Sequence, residues 1–402
     1  MQQILILISA LSLSLSSWAA TDRADLSFIE VTTEAEWNTV LKRAEAESKL
    51  IFIDAYTDWC VYCHKLDKEV YSKPKVKAYF EEQFINVKFD AEGTFGSQLA
   101  AYFEIDSYPT LLFITPETNV FQQIEGFVPA NQLIAYGEQI AADWENIPTL
   151  LAKMESDMIT QKEQFQLILL LQKSNPLKAE EIGKNYLSSL ATNEYTEEEN
   201  FYILKSYGTQ IRSEYYQYIR KNEEKIIKSL GGSALDDYMI SVYNNNLDLA
   251  IKYGDEELLE TVIRDILPYM VEKGDLPKAT YSTNAVYFGH RENFEAFELN
   301  VDEYMNNHLA TSDRPDFIIS VAVEILENYQ SQEMYKKATH WLKTAIDIDN
   351  KRFESHALRG YIEGLLGNRQ TSNDHFTKAK SLTKNGEQLK FVNQLEEVIS
   401  KS

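Results

Sequence analysis

The feature that most constrains this chain is the placement of its only two cysteines, Cys60 and Cys63. An apolar run, Leu50–Ile53, predicts a strand just before them, and the residues that follow Cys60 predict the opening of a helix. Two thiols three residues apart at a helix start can face each other and close a disulfide. The first thiol lies near the positive end of the helix dipole, which stabilises a thiolate and lowers the pKa of the thiol. The pattern therefore indicates thiol–disulfide exchange.

The position of each cysteine along the predicted helix suggests its role. Cys60 lies in the first turn, so we expect it to be the exposed nucleophile. Cys63 lies one turn further in, so we expect it to be buried and to act as the resolving thiol that breaks a mixed disulfide. The sequence predicts no cofactor beyond this redox-active disulfide, and it predicts no metal site.

Two other chemistries use a pair of cysteines at this spacing. A structural zinc site needs four ligands, and the chain has no second cysteine pair. The string Cys60-Val-Tyr-Cys63-His64 is also the pattern of covalent haem attachment. A c-type cytochrome also needs an axial partner and a small helical fold, whereas this motif follows a strand. Thiol exchange is therefore favoured, and a Soret absorption band would identify the haem alternative.

The residues around the pair resemble those of a known family. Asp54 lies six residues before Cys60 on the predicted strand, Trp59 directly precedes Cys60, and Tyr108-Pro109 leads into a second apolar run. Together these features resemble the thioredoxin superfamily. The stretch that begins at Asp54 is most similar to the periplasmic C-terminal domain of DsbD-type thiol:disulfide interchange proteins. The resemblance implies an α/β thioredoxin-like domain in which helices flank a central mixed sheet, over roughly residues 30–145.

The same resemblance implies roles for residues away from the cysteines. Asp54 matches the buried acid that takes the proton of the resolving thiol, and a carboxyl in an apolar strand has a raised pKa. Lys88 matches a lysine that pairs with this acid. Pro109 matches a cis-proline that leaves the backbone of Tyr108 free to pair with an extended substrate. The alternatives are solvated strand residues at 54 and 88 and an ordinary trans turn proline.

The residues next to the cysteines bear on the direction of electron flow. We expect Trp59 beside the thiols, on the substrate side. The dipeptide Val61-Tyr62 differs from the Gly-Pro of cytosolic thioredoxins and from the histidine-containing dipeptides of oxidases and isomerases. The missing histidine favours a reductant. His64 either modulates the thiolate or is a surface residue.

The N-terminus predicts export. Residues 4–15 are apolar, and Ser17-Trp18-Ala19 places small residues where a signal peptidase cleaves, so residues 1–19 are predicted to be a signal peptide. Residues 1–3 carry no Lys or Arg, and a short membrane anchor is the alternative. We therefore expect a periplasmic or secreted, soluble mature protein. The formal charge of −23 argues against binding to nucleic acid or to anionic membranes.

The remaining two thirds of the chain show helical periodicity. We predict a thioredoxin-like domain over 24–148, a helical region over 149–329 and repeats over 330–402, because 402 residues exceed one core of ordinary size. A 34-residue period appears near the end, with glycines at the expected turns, and it resembles the tetratricopeptide pattern. Its paired positions are Ala338 with Ser372, Leu342 with Phe376 and Ala345 with Ala379. A concave helical face of this kind often binds peptides.

Two functions follow from these observations. The first is a secreted thiol–disulfide oxidoreductase that reduces protein disulfides and receives electrons from a membrane donor of DsbD type, with the helices selecting partners. The second is a helical-repeat binding protein in which the thioredoxin-like domain is structural or incidental.

Overall fold

The computed structural model describes residues 25–329 and 331–401, and these fall into two compact units that divide between Ser189 and Leu190. The predicted signal peptide, residues 1–19, lies outside the described residues. Within the described part of the chain, no helix has the length and apolar composition that a membrane span requires.

The first unit contains a five-stranded mixed sheet with helices around it, as the sequence predicts. Its strands are β1 (Ile29–Glu30), β2 (Ile51–Tyr56), β3 (Ile85–Asp90), β4 (Thr110–Ile114) and β5 (Val120–Glu125). Its helices are α1 (Glu34–Glu47), α2 (Val61–Leu66), α3 (Pro74–Gln83), α4 (Gly96–Tyr102), α5 (Ala130–Glu155), α6 (Gln161–Ser174) and α7 (Pro176–Ser189). A π-helical segment, Asp67–Tyr71, continues α2.

The strand order β1-β3-β2-β4-β5 places the strand before the cysteines at the centre of the sheet. β2 runs parallel to β3 and antiparallel to β4, and β1 runs parallel to β3. β2 and β3 are buried along almost their whole length, because helices cover both faces of the sheet. Sequence analysis missed β1, since a strand of two residues is too short to show an alternating pattern.

Local sequence explains why α1 forms over Glu34–Glu47. Thr33 and Glu36 make a reciprocal capping box at its start, and Trp37, Val40 and Ala44 lie buried on one face. Burial of each large apolar side chain stabilises such a helix by roughly 1.5–3 kcal/mol, so packing on the sheet adds to the local capping signal.

Helix α5 contains a proline and is not ended by it. The helix continues through Pro148 to Glu155. Ile140, Ile147 and Leu150 are buried, so the apolar face carries on past the proline and holds the chain in the helix. α6 and α7 follow in the same compact unit, and the domain boundary at 148 stays a prediction.

The second unit is entirely helical over its described residues, as predicted. Its first helices are α8 (Glu198–Tyr207), α9 (Glu214–Lys221), α10 (Glu223–Leu230), α11 (Gly232–Tyr253), α12 (Glu256–Thr261), α13 (Leu267–Met270) and α14 (Leu276–His290). The rest are α15 (Phe294–His308), α16 (Arg314–Asn328), α17 (Gln332–Ile348), α18 (Phe353–Leu365), α19 (Arg369–Leu382) and α20 (Gly386–Lys401). A short 3₁₀ segment covers Thr192–Thr196, and a short π-helical segment covers Val262–Ile266.

The 34-residue period noted in the sequence relates α17 to α19. The six paired positions noted in the sequence fall on α17 and α19, and all six are buried. Gly360 permits close packing of α18 on α19, since a Cβ there would lie 3.1 Å from Phe376 and from the carbonyl oxygen of Ser372. Gly367 has a positive φ of 82° in the turn between these helices. Assignment of these helices to the tetratricopeptide family stays a proposal.

Candidate active site

Cys60 and Cys63 form a disulfide at the N-terminus of α2, with their Cα atoms 5.3 Å apart. Cys60 is the N-cap residue and has an extended backbone. The amide of Cys63 donates a hydrogen bond to Cys60 Sγ over 3.1 Å. In the reduced protein, the same N–H group and the positive end of the helix would stabilise a thiolate on Cys60. The geometry therefore distinguishes the two sulfurs, and Cys60 is the better nucleophile.

The expected difference in exposure between the cysteines is wrong. Cys63 is buried as expected, at 1% exposed, but Cys60 is only 4% exposed. Cys60 is covered because its sulfur turns inward, toward the disulfide partner and the Cys63 amide. The large exposed side chains are instead the neighbours Trp59, Val61 and Tyr62, which surround the disulfide with apolar surface.

Asp54 and Lys88 form a buried ion pair behind the motif. They are directly paired across β2 and β3, and Lys88 Nζ lies 3.1 Å from Asp54 Oδ2. Asp54 is completely buried and Lys88 is 7% exposed. Burial raises the pKa of Asp54, and the Lys88 charge opposes this shift without cancelling it. Asp54 is therefore a carboxyl with a high affinity for a proton.

Asp67 is a third member of this group, and sequence analysis missed it. Its Oδ1 accepts a hydrogen bond of 2.5 Å from Lys88 Nζ. Burial alone would lower the pKa of Lys88, but the carboxylates of Asp54 and Asp67 raise it, so the lysine stays cationic. Tyr71 is buried next to them, and burial followed by the Asp54 charge raises the pKa of its hydroxyl well above the usual range. The only sequence signal for Asp67 was its place one turn after Cys63.

Tyr108 and Pro109 provide a backbone segment at the start of β4. The peptide bond between them is cis. The carbonyl oxygen of Pro109 accepts a hydrogen bond of 2.8 Å from the amide of Gly126, which follows β5. Gly126 has a positive φ of 80°. Among the hydrogen bonds of residues 25–329 and 331–401, the backbone of Tyr108 makes none with another backbone group. This backbone is therefore free for an additional strand.

Trp59 connects the cysteine motif to this segment. Its indole ring meets the Tyr108 ring edge-on, with the centroids 6.2 Å apart, and its Nε1–H donates to Glu92 Oε1 over 2.9 Å. His64 points elsewhere: its Nε2 lies 2.9 Å from the carbonyl oxygen of Asp58, which fits a donor at that nitrogen.

The predicted site residues thus form two groups. Trp59, Tyr108 and Pro109 lie on the cysteine side, whereas Asp54 and Lys88 lie in the sheet beneath. Within the described ranges, no hydrogen bond or ion pair joins Asp54 directly to the disulfide.

Comparison with known proteins fits this arrangement. The family model for the thioredoxin-like domain matches residues 37–141. The thiol:disulfide interchange protein DsbD 2 of Pseudomonas aeruginosa is 31% identical over 98 residues, which are 24% of this chain and 17% of that protein. DsbD of Escherichia coli K12 is 29% identical over 145 residues, which are 33% of this chain and 25% of that protein. The chain therefore spans only a quarter or less of the length of these two relatives.

A solved structure also matches. It is a proposed disulphide-isomerase from Bacteroides thetaiotaomicron, 36% identical, and the match covers 28% of this chain and 88% of that one with a TM-score of 0.25. The family match, the mixed sheet and the Cys-x-x-Cys pair at a helix N-terminus all lie in the first unit. Residues 37–141 therefore form a thioredoxin-like domain, similar to the domains of these relatives.

Proposed function

We propose that this protein is an exported thiol–disulfide oxidoreductase that reduces disulfides in other proteins. One hydrogen bond carries the proposal: at the N-terminus of α2, the amide of Cys63 donates to the sulfur of Cys60. A site of this kind stabilises one thiolate selectively, and a selectively stabilised thiolate is what disulfide exchange requires.

The reaction begins from the reduced pair. The Cys60 thiolate attacks one sulfur of the substrate disulfide; a Cys60–substrate bond forms, the substrate S–S bond breaks, and the other substrate sulfur leaves as a thiolate that takes a proton. Cys63 then gives its proton to Asp54 and attacks Cys60 Sγ. The Cys60–Cys63 disulfide forms and the Cys60–substrate bond breaks. The substrate sulfur that was bonded to Cys60 leaves as a thiolate and is protonated. Two electrons pass from the protein to the substrate.

Substrate docking follows from the free backbone of Tyr108. An extended substrate segment can pair with it as an added strand, which brings a disulfide in that segment alongside Cys60. Trp59, Val61 and Tyr62 are exposed around the sulfur and offer apolar contact to the side chains that flank the substrate cysteine. These contacts favour a segment that is locally unfolded or extended.

Each turnover leaves the protein oxidised, so the cycle needs a two-electron donor. We propose a membrane protein of DsbD type for this role and a periplasmic or secreted location for the chain. The relatives named as thiol:disulfide interchange proteins support both proposals.

The helical unit is the candidate for partner selection. A cavity of 370 Å³ opens between α14 and α15, and its lining combines aromatic rings with amides, including Tyr281, Tyr304, Asn284 and Asn300. Amides and aromatic rings are suited to an extended polypeptide. The same cavity supports the second candidate function, a binding protein in which the cysteine pair is a static disulfide.

An equilibrium redox titration in defined thiol buffers, read by alkylation gel shift, tests the proposal. A midpoint near about −270 mV would identify a reductant, and one between about −120 and −180 mV an oxidase or isomerase. A pair that remains oxidised throughout would contradict catalysis and favour the binding function. The spectrum of the same sample would reveal a Soret band if haem were attached.

A further inference from the structure

Three charged side chains stand in one row across the sheet. Glu30 of β1 is directly paired with Lys88 of β3, and Lys88 is directly paired with Asp54 of β2. Directly paired residues on neighbouring strands project to the same face of a sheet. Lys88 therefore has a carboxyl-bearing residue on either side, and Asp67 supplies a further carboxylate from the helix above.

We propose that Glu30 is a positioning residue that acts through Lys88 to keep Asp54 able to accept a proton. The proposal rests on the proposed function, since the proton in question is the one that Cys63 loses during exchange.

Charge sharing at Lys88 is the first step. Its ammonium lies 3.1 Å from the Asp54 carboxylate and 2.5 Å from the Asp67 carboxylate. One positive charge is therefore already shared between two carboxylates. Glu30 is paired with Lys88 in register and lines the same cavity, so it adds a third carboxyl to the neighbourhood of one ammonium. Full ionisation would leave the group with a net charge of −2 around a buried lysine, and electrostatic repulsion therefore favours a proton on one carboxyl.

Burial selects the carboxyl that holds this proton. Asp54 is completely buried, whereas Glu30 and Asp67 are exposed at the surface end of the group. Water solvates the charges of the two outer carboxylates, so a proton that the group takes up is best placed on Asp54. The negative charge of Glu30 then acts in two ways: it repels a charge on Asp54, and it draws Lys88 away from Asp54.

The surrounding cavity gives the group access to solvent. It has a volume of 450 Å³, and Glu30, Asp67 and Lys88 line it together with Tyr56, Tyr71 and the segment from Asp25 to Phe28. The titratable groups that face Asp54 and Lys88 from the packed elements are Glu30, Tyr56, Asp67 and Tyr71. Burial raises the pKa of Glu30 itself, with the Lys88 charge opposing and those of Asp54 and Asp67 reinforcing, so these groups are electrostatically coupled.

The direct test is a carbon-13 NMR titration of the Asp54 carboxyl in the full-length oxidised protein. E30Q keeps the shape of the side chain and removes its charge, and we expect the Asp54 midpoint to fall by about half a pH unit, as for one solvent-screened charge. E30D keeps the charge and should restore most of the wild-type midpoint. E45Q removes an exposed charge from α1 and should leave the midpoint unchanged. An unchanged or higher midpoint in E30Q would overturn the proposal.

The functional readout is the pH profile of disulfide reduction. In E30Q, the pH at which the reduction rate falls on the acidic side should decrease by the same amount as the Asp54 midpoint. A midpoint that moves while this pH does not would also overturn the positioning role. If the wild-type protein reduces no disulfide at all, the proposed function fails, yet the NMR titration still decides whether Glu30 controls Asp54.

Discussion

The two units bury polar groups in different ways. The thioredoxin-like unit buries a charged pair, Asp54 with Lys88, at the centre of its sheet. The helical unit buries one carboxyl, Glu363, with Arg359 3.6 Å away, but most of its buried polar groups are neutral. One example is Asn246, which donates to the carbonyl oxygen of Thr209 and accepts from the amide of Ile211. A buried charge is costly to keep, whereas a satisfied amide stabilises its surroundings. The comparison indicates that the thioredoxin-like unit keeps an ionisable pair at the centre of its sheet, where it suits proton chemistry, whereas Asn246 serves the packing of the helical unit.

The strongest test of this difference removes the thiols. C60A should lower disulfide reduction by at least about a thousandfold, because the nucleophile is lost. C63A should instead accumulate mixed disulfides through Cys60, since no thiol remains to resolve them. Non-reducing gels of cells that express C63A, with C60A/C63A as the control, measure this. Recovery of no adducts from C63A would count against the exchange mechanism.

Substitution of the buried acid should have the next largest effect. We expect D54N to slow reduction about a hundredfold near neutral pH, because Cys63 loses its proton acceptor. Stopped-flow kinetics with a protein disulfide measure the rate. A rate within twofold of the wild type would show that Asp54 takes no part.

D54N should also change the stability of the thioredoxin-like unit. The folded-state pKa of Asp54 lies above its ordinary value of 3.8, so this group contributes stability below pH 3.8 that is lost as pH rises through the folded-state pKa. D54N should therefore increase the free energy of unfolding of the first unit near neutral pH and leave it less changed in acid. Urea unfolding near neutral pH and in acid measures this, with D58N, an exposed residue in the turn after β2, as the control.

In the helical unit, loss of a buried amide should change stability and nothing else. N246A leaves the Ile211 amide and the Thr209 carbonyl without their partner, and we expect a loss of about 2–4 kcal/mol in the free energy of unfolding. The exposed neighbour Asn244 provides the control, N244A. The redox midpoint of the cysteine pair should be unaffected by N246A. A midpoint that shifts together with the free energy of unfolding would contradict the separate roles of the two units.

The smallest expected effect comes from a histidine pair between α18 and α19. His356 Nδ1 and His375 Nδ1 are 3.0 Å apart, and burial, with the nearby Arg359 charge, lowers the pKa of His375 to about 4. A lowered histidine pKa gives stability that is complete above pH 6.5 and is lost as pH falls toward 4. The helical unit should therefore lose about 1–2 kcal/mol over this range. H375Q should flatten the dependence in acid unfolding followed by hydrogen exchange, and an unchanged profile would contradict the assignment.

Local sequence was sufficient to predict the cysteine pair at the junction of a strand and a helix, because the periodicity changes at Cys60. The mixed sheet and the roles of Asp54, Lys88 and Pro109 came from the resemblance to a family.

What sequence analysis missed depends on tertiary contacts. Asp67 and Glu30 look like ordinary surface acids until Lys88 brings them together, and β1 has no pattern of its own. The burial of Cys60 was also missed, because a place in the first helical turn does not determine how exposed a side chain is.

The length of α5 bears on how this chain can be divided. The family match ends at residue 141, inside a helix that runs to Glu155. An expression fragment that stops at residue 148 would therefore cut the helix just before Leu150, a buried side chain. It would also remove Ser174, whose carbonyl oxygen accepts the Asn119 side chain from the turn between β4 and β5. We expect a fragment that ends at Ser189 to be the smallest useful reagent for the isolated redox domain, roughly one helical hairpin larger than family boundaries suggest.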